Sequence, residues 1–201
     1  MLEELILFDT SKPAPDWTNV FIYAAVIIIA TQLTFMALTK IMGIDDVGKD
    51  LDSEKDKEYK EWEKKKLSPW SILATEIASS SIYSPIAEEL MFRVLLMKFV
   101  LSRQLGLNNW TSNVIQSLVF GGMHLTNTVF STQTAKYTRL QTLSATIAGL
   151  VSGWTYYHTN SVMPSLVAHF INNTSAGISE FAGYRNYLNK KEKNKESPSS
   201  S

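Results

Sequence analysis

Glu88-Glu89-Leu90-Met91-Phe92-Arg93 sets three charges inside a stretch, 85–105, that otherwise reads as apolar helix. Ionisable groups in membrane-type helices are rare, are paired or face a wet cavity, and point to function by default. Glu89 and Arg93 are four residues apart, which puts them on one helix face within ion-pair reach. Glu88 is rotated from them by about 100°. One helix can therefore neutralise Arg93 with Glu89 and leave Glu88 free to address a cavity. A buried tie between helices without chemistry is the competing reading. The attraction within a buried charge network often fails to offset its desolvation, which favours use over mere structure.

The surrounding composition supports an embedded location. Of the 38 Asp, Glu, Lys and Arg residues, 16 lie in 45–66 and 7 in 185–196, but only 9 in the 118 residues of 67–184. Apolar segments at 20–41, 72–84, 85–105, 110–125, 140–158 and 162–181 predict an all-α, polytopic membrane helix bundle of about six helices with a charged soluble loop. The organisation expected is an N-terminal segment and anchor helix (1–42), a charged solvated loop or surface helix (43–66), a membrane-embedded core (67–184) and a disordered tail (185–201). Segment 20–41 is long enough to cross a hydrocarbon layer of ~30 Å, and the acidic stretch before it lacks the basic start of a secretory signal. Pro85 stops the helix 72–84 and starts the next, since proline is tolerated in a first turn. The Thr-rich segment 126–139 reads as an exposed loop, and Ala145, Gly149 and Gly153 at four-residue spacing allow a second helix to approach closely. With six spans the two Lys-rich segments, 43–66 and the tail, fall on opposite sides, so the Lys/Arg distribution assigns no orientation.

Several classes are excluded or disfavoured. The formal net charge is zero and no basic stripe carries interleaved aromatics, so no nucleic-acid partner is expected. The absence of cysteine removes disulfides, Cys-based zinc sites and Cys nucleophiles. Membrane lipid is the expected environment, with anionic lipid a candidate contact of the Lys190–Lys195 tail. A protein complex through the charged loop is a further candidate partnership.

Two of the three histidines, His124 and His169, fall inside apolar helices. His158 follows Tyr156 and Tyr157, an interfacial rather than catalytic grouping. His169 and Asn173 share a helix face, and an imidazole beside a carboxamide offers donors suited to an oxyanion. Two carboxylates, Arg93, two histidines and Asn173 over three helices suit hydrolysis, with a carboxylate or imidazole as general base on water. No cofactor is needed for that scheme. The alternative is a divalent metal such as zinc held by Glu88, His124 and His169, although the His-Glu-x-x-His spacing is absent.

These residues resemble the type II CAAX prenyl endopeptidase and bacteriocin-processing (ABI, CPBP) intramembrane protease family, whose motifs EExxxR, FxxxH and HxxxN are matched by Glu88-Glu89…Arg93, Phe120…His124 and His169…Asn173. The resemblance covers about 84–176. It implies an intramembrane endopeptidase acting on peptide or protein substrates, with prenylated CAAX-type chains among them. In that scheme Glu88 activates water with His124, Glu89 and Arg93 position the site, and His169 and Asn173 stabilise the oxyanion. The resemblance also leaves open a non-catalytic membrane scaffold or assembly partner that retains the fold; a phenotype following the charged loop and ignoring Glu88 would mark that case.

Overall fold

The computed structural model describes residues 16–43, 47–130 and 134–196, and the regular structure among them is helical. The elements are α1 (Trp17–Ile41), α2 (Val47–Lys64), α3 (Pro69–Glu76), α4 (Ser84–Glu89), α5 (Asn109–Met123), α6 (Asn127–Phe130), α7 (Ala135–Thr159) and α8 (Met163–Glu196), with π-helical runs Ile77–Tyr83 and Leu90–Gln104 on either side of α4. The acidic N-terminal stretch 1–15 and residues 197–201 of the expected tail lie outside the described residues.

Local chemistry sets the boundaries. Asp16 caps α1 by accepting the Thr18 N–H at 3.0 Å, Ser68 caps α3 by accepting that of Ser71 at 3.0 Å with Pro69 following, and Asn108 caps α5 by accepting that of Thr111 at 2.9 Å. Gly106 has φ +67° and lets the Leu107 N–H reach back to the Leu101 carbonyl at 3.0 Å, a closure that only a left-handed residue permits.

The rods pair in antiparallel fashion. Trp70 meets Phe181, Glu76 lies against Gly177, the Ser80 carbonyl meets Asn173 and Glu89 faces His169, so the rod 69–104 runs against α8. Arg93 reaches Gln116 and Ser102 reaches Ser112, which sets α5 against the same rod. On its other side α5 packs on α7, where Gly121 lies against Thr142 and Thr146, Gly149 against Ser117 and Phe120, and Gly153 against Asn113 and Gln116. The small-residue spacing of α7 thus admits the polar side chains of α5 to its backbone. α1 lies across α7 and α8 through Val20, Ala24 and Ile27 and exposes Phe21, Ile29, Leu33 and Met36. Among the described residues it is the one helix long and apolar enough to cross a bilayer by itself.

Three segments differ from expectation. The helices 72–84 and 85–105 are one continuous rod, 69–104, because the chain absorbs Pro85 by widening into a π register just before it rather than by ending. Segment 126–139 is not an open loop, since α6 and the first turn of α7 occupy parts of it. The expected disordered tail continues α8 as helix to Glu196, whereas the charged segment 43–66 carries α2, the surface-helix alternative. α2 and the end of α8 hold each other. Tyr59 and Tyr184 are buried against Trp62, Tyr187 and Leu188, while Glu63 accepts from Tyr187 and Lys191. Isolated charged helices of this length are marginal, and the shared aromatic seam supplies what neither segment has alone. At 34 residues α8 is about 50 Å long, well beyond a ~30 Å hydrocarbon layer.

Adjacent glycines separate packing from propensity. A Cβ at Gly121 would meet the Thr146 side chain and lie 2.8 Å from the Thr142 carbonyl, whereas at Gly122 it meets nothing within 4 Å. Gly121→Ala is expected to lower stability by ~1–3 kcal/mol. Gly122→Ala should raise it by ~0.5–1 kcal/mol through helix propensity. Thermal unfolding of the two variants in detergent tests the pairing of α5 with α7.

Candidate active site

Glu88 and Glu89 end α4, at the middle of the long rod, and α8 passes antiparallel to them. Glu89 is enclosed, with 1 % of its side chain exposed, and its carboxylate lies 3.3 Å from Arg93 Nε, itself 1 % exposed. Ser165 is buried beside the same carboxylate. Glu88 differs. Its side chain is 31 % exposed, and it accepts a hydrogen bond from Ser84 at 2.7 Å. The two neighbouring acids therefore occupy distinct environments, one neutralised and dry, one reachable.

His169 stands between them. Its Nδ1 is 3.7 Å from Glu88 Oε2 and its Nε2 is 3.7 Å from Glu89 Oε1, distances of charge contact rather than hydrogen bonding. Asn173, one turn further along α8, donates from Nδ2 to the Ser80 carbonyl at 2.6 Å. A carboxamide nitrogen carries two hydrogens, so this bond uses one and leaves the other. His124 ends α5, with Nδ1 3.1 Å from the Phe120 carbonyl. A carbonyl only accepts, so this contact keeps the proton on Nδ1 and makes Nε2 the basic nitrogen.

Phe120 joins these groups. Its ring packs on Phe92 at 5.1 Å, on His124 at 5.3 Å and on His169 at 6.4 Å, and the Arg93 guanidinium lies over it at 5.2 Å. The phenylalanine of the FxxxH spacing is thus the spacer between both imidazoles and the arginine. His158 stacks on Trp154 at the far end of α7 from α6.

A polar stripe on α5 was not singled out from the sequence. Arg93 Nη1 donates to Gln116 Oε1 at 2.5 Å, and Gln116 Nε2 donates to Asn113, Ser117 and the Gly149 carbonyl. Asn113 in turn donates to the Leu150 carbonyl at 2.9 Å. The signal is in the spacing: Asn113, Gln116 and Ser117 recur at helical spacing, a polar face on an otherwise apolar helix.

Glu88, His124 and His169 are the residues that would hold a metal. In this arrangement both His169 nitrogens face carboxylates, one of them paired with Arg93, and no group of three His, Asp or Glu side chains gathers among the described residues.

The chain matches the family described as type II CAAX prenyl endopeptidase Rce1-like over residues 69–175. It belongs to that family. The match begins at the first residue of α3 and ends two residues past Asn173, taking in Glu88, Glu89, Arg93, His124 and His169. No curated protein and no solved structure matches the chain. Membership in the Rce1-like family makes this a membrane protein of the CAAX-protease group and implies CAAX-type endopeptidase activity.

The contrast between the two acids is measurable without substrate. Glu89→Ala strands a buried guanidinium and is expected to cost ~3–5 kcal/mol, whereas Glu88→Ala, at a part-exposed site, should stay within ~1 kcal/mol. Gln116→Leu should fall between, at ~1–3 kcal/mol, for the donor and acceptors it leaves unmatched. Equal unfolding temperatures for the Glu88 and Glu89 variants would contradict this division.

Proposed function

We propose that this Rce1-like chain is an intramembrane endopeptidase in which Glu88, with His124, activates water for attack on a peptide bond. The observation that carries the reading is the unequal placement of the acids: Glu88 is accessible beside an imidazole, while Glu89 is spent on Arg93. Glu88 takes the water's proton as the hydroxide adds to the scissile carbonyl. His124 Nε2 shares the base role, its tautomer held by the Phe120 carbonyl. The second N–H of Asn173 and the imidazole of His169 then stabilise the oxyanion. Collapse of the tetrahedral adduct returns the proton to the departing amine. Glu89, Arg93 and Gln116 hold the rod against α5 and α7 throughout.

Substrate class is read from the wall beside these groups. A cavity of about 450 Å³, almost wholly apolar, is lined by Phe21, Ile82, Pro85, Ile86, Leu166 and Phe170 among others. Pro85 and Ile86 precede Glu88 by one turn or less, and Leu166 and Phe170 flank His169, so an isoprenyl chain lying there would place the attached peptide near the carboxylate. This supports prenylated CAAX-type substrates.

The rod pairing also supports a topology. With 69–104 as one span, the chain crosses five times, as α1, the rod, α5, α7 and α8, and α2 comes to the same side as the end of α8. Lys136 at the start of α7 reaches the Gly43 carbonyl on that side too, at 3.4 Å. The lysines of α2 and the tail then gather at one face, which by the charge rule is cytoplasmic.

Glu88→Gln is expected to lower kcat on a prenylated CAAX peptide by ~10²–10⁴-fold with the fold intact, and the unprenylated peptide should show a raised KM on the unmodified enzyme. A strong chelator should leave the rate unchanged. Unaltered turnover in Glu88→Gln would sink the proposed role. Because the chain has no cysteine, single cysteines at Lys57 and Lys193 can be labelled in oriented vesicles. Both should react from the same side.

A further inference from the structure

The sequence Ser79-Ser80-Ser81-Ile82-Tyr83-Ser84-Pro85 ends the first π-helical run. Proline inside a helix has two effects: its ring clashes with the carbonyl four residues back, and it contributes no N–H. The wider π register meets the first, and the Ser84 N–H accordingly bonds to the Ser79 carbonyl, five residues back. In that register the next carbonyl, Ser80, is matched to the N–H of residue 85, which does not exist. Ser80 does not serve its own carbonyl, since its hydroxyl donates to Glu76 at 2.8 Å. A carbonyl so placed needs a donor from outside its helix.

Asn173 is that donor, at 2.6 Å. The approach of α8 is close here because Gly177, one turn beyond Asn173, lies against Glu76, where an added Cβ would stand 3.2 Å from the Glu76 Cβ. Asn173 is also one turn from His169, whose two nitrogens face Glu88 and Glu89 at 3.7 Å. Fixing the carboxamide on the rod therefore fixes the rotation of α8 about its axis at both groups. We infer that Pro85 is a positioning residue for Asn173: by withholding an N–H it leaves the Ser80 carbonyl open, and that carbonyl aims the carboxamide whose second N–H meets the substrate. The inference rests on the hydrolytic role proposed above for Asn173.

The test needs a residue 85 that differs only in the N–H. Pro85→Ala restores the donor, whereas lactic acid incorporated at position 85 carries the alanine side chain on an ester link with no N–H. In the full chain, on a prenylated CAAX peptide, Pro85→Ala should lose at least about tenfold in kcat, less than the ~10²–10³-fold typical of removing an oxyanion donor outright. The lactic acid variant loses the same cavity-lining ring, so any rise in KM should appear in both variants, but its kcat should stay at least about fivefold above that of Pro85→Ala. In parallel, the side-chain ¹⁵N–¹H signal of Asn173 in asparagine-labelled protein, assigned by its loss in Asn173→Asp, should move in Pro85→Ala and hold its position in the lactic acid variant. Equal kcat in the alanine and lactic acid proteins, whether both reduced or both unchanged, would overturn the role of the missing N–H. If the unmodified chain shows no turnover, the protease reading fails, and the NMR comparison alone decides the inference: a signal displaced only by Pro85→Ala upholds the link from Pro85 to Asn173, and an identical displacement in both variants, or none in either, refutes it.

Discussion

A guanidinium enclosed to 1 % exposure has to draw on partners inside the protein, and Arg93 takes them from its own rod and from α5. Glu89 answers its charge, Phe120 its face and Gln116 one of its amino groups. Gln116 then has to be held, and its amide reaches the Gly149 carbonyl on α7. That reach is open only because α7 presents glycine at 149 and 153, where a Cβ would collide with Ser117, Asn113 or Gln116. The small residues of one helix are thus a consequence of an arginine two helices away. Such a network is a weak source of stability compared with apolar packing; what it specifies is the register of the rods to which the site residues belong.

Much of this was legible from spacing. Glu89 and Arg93 at four residues, His169 and Asn173 at four residues, and Phe120 four residues before His124 each define a shared face, and the structure places each pair on adjoining helices. The four-residue recurrence in α7 likewise foretold close approach, though not that amide side chains would fill the space. The gaps have physical causes. Pro85 signals a stop because the α register cannot hold it, but a π turn can, and no residue pattern in 77–83 announces one. Tyr59 and Trp62 stand among charges with no pattern of their own; their counterparts, Tyr184 and Tyr187, are more than a hundred positions away, so the aromatic seam that makes α2 a helix has no local signature. Gln116 and Asn113 mark a polar face by their spacing, but uncharged amides do not reveal their partners, and so not their link to Arg93.

The continuity of the rod 69–104 reaches beyond local geometry. With a break at Pro85 the charged segment and the tail would leave the bundle at opposite ends; without one they meet, and their meeting builds the pairing of α2 with α8. Two features that look unrelated in the sequence, a proline in the core and a lysine-rich periphery, are therefore linked through the continuity of the rod. α8 in turn serves two partners, carrying His169 and Asn173 against the rod in its first half and the aromatic seam with α2 in its second.

α1 lies outside the stretch shared with the family, yet Phe21 forms part of the cavity wall beside the carboxylates. It is attached by small contacts, Val20, Ala24 and Ile27 against neighbours such as Ala168, and by none of the charge network. One wall of the cavity is consequently carried outside the matched stretch, and the rest of it by the rod and α8 within that stretch. A different side chain at position 21 would reshape that wall while every residue around Glu88 stayed as it is.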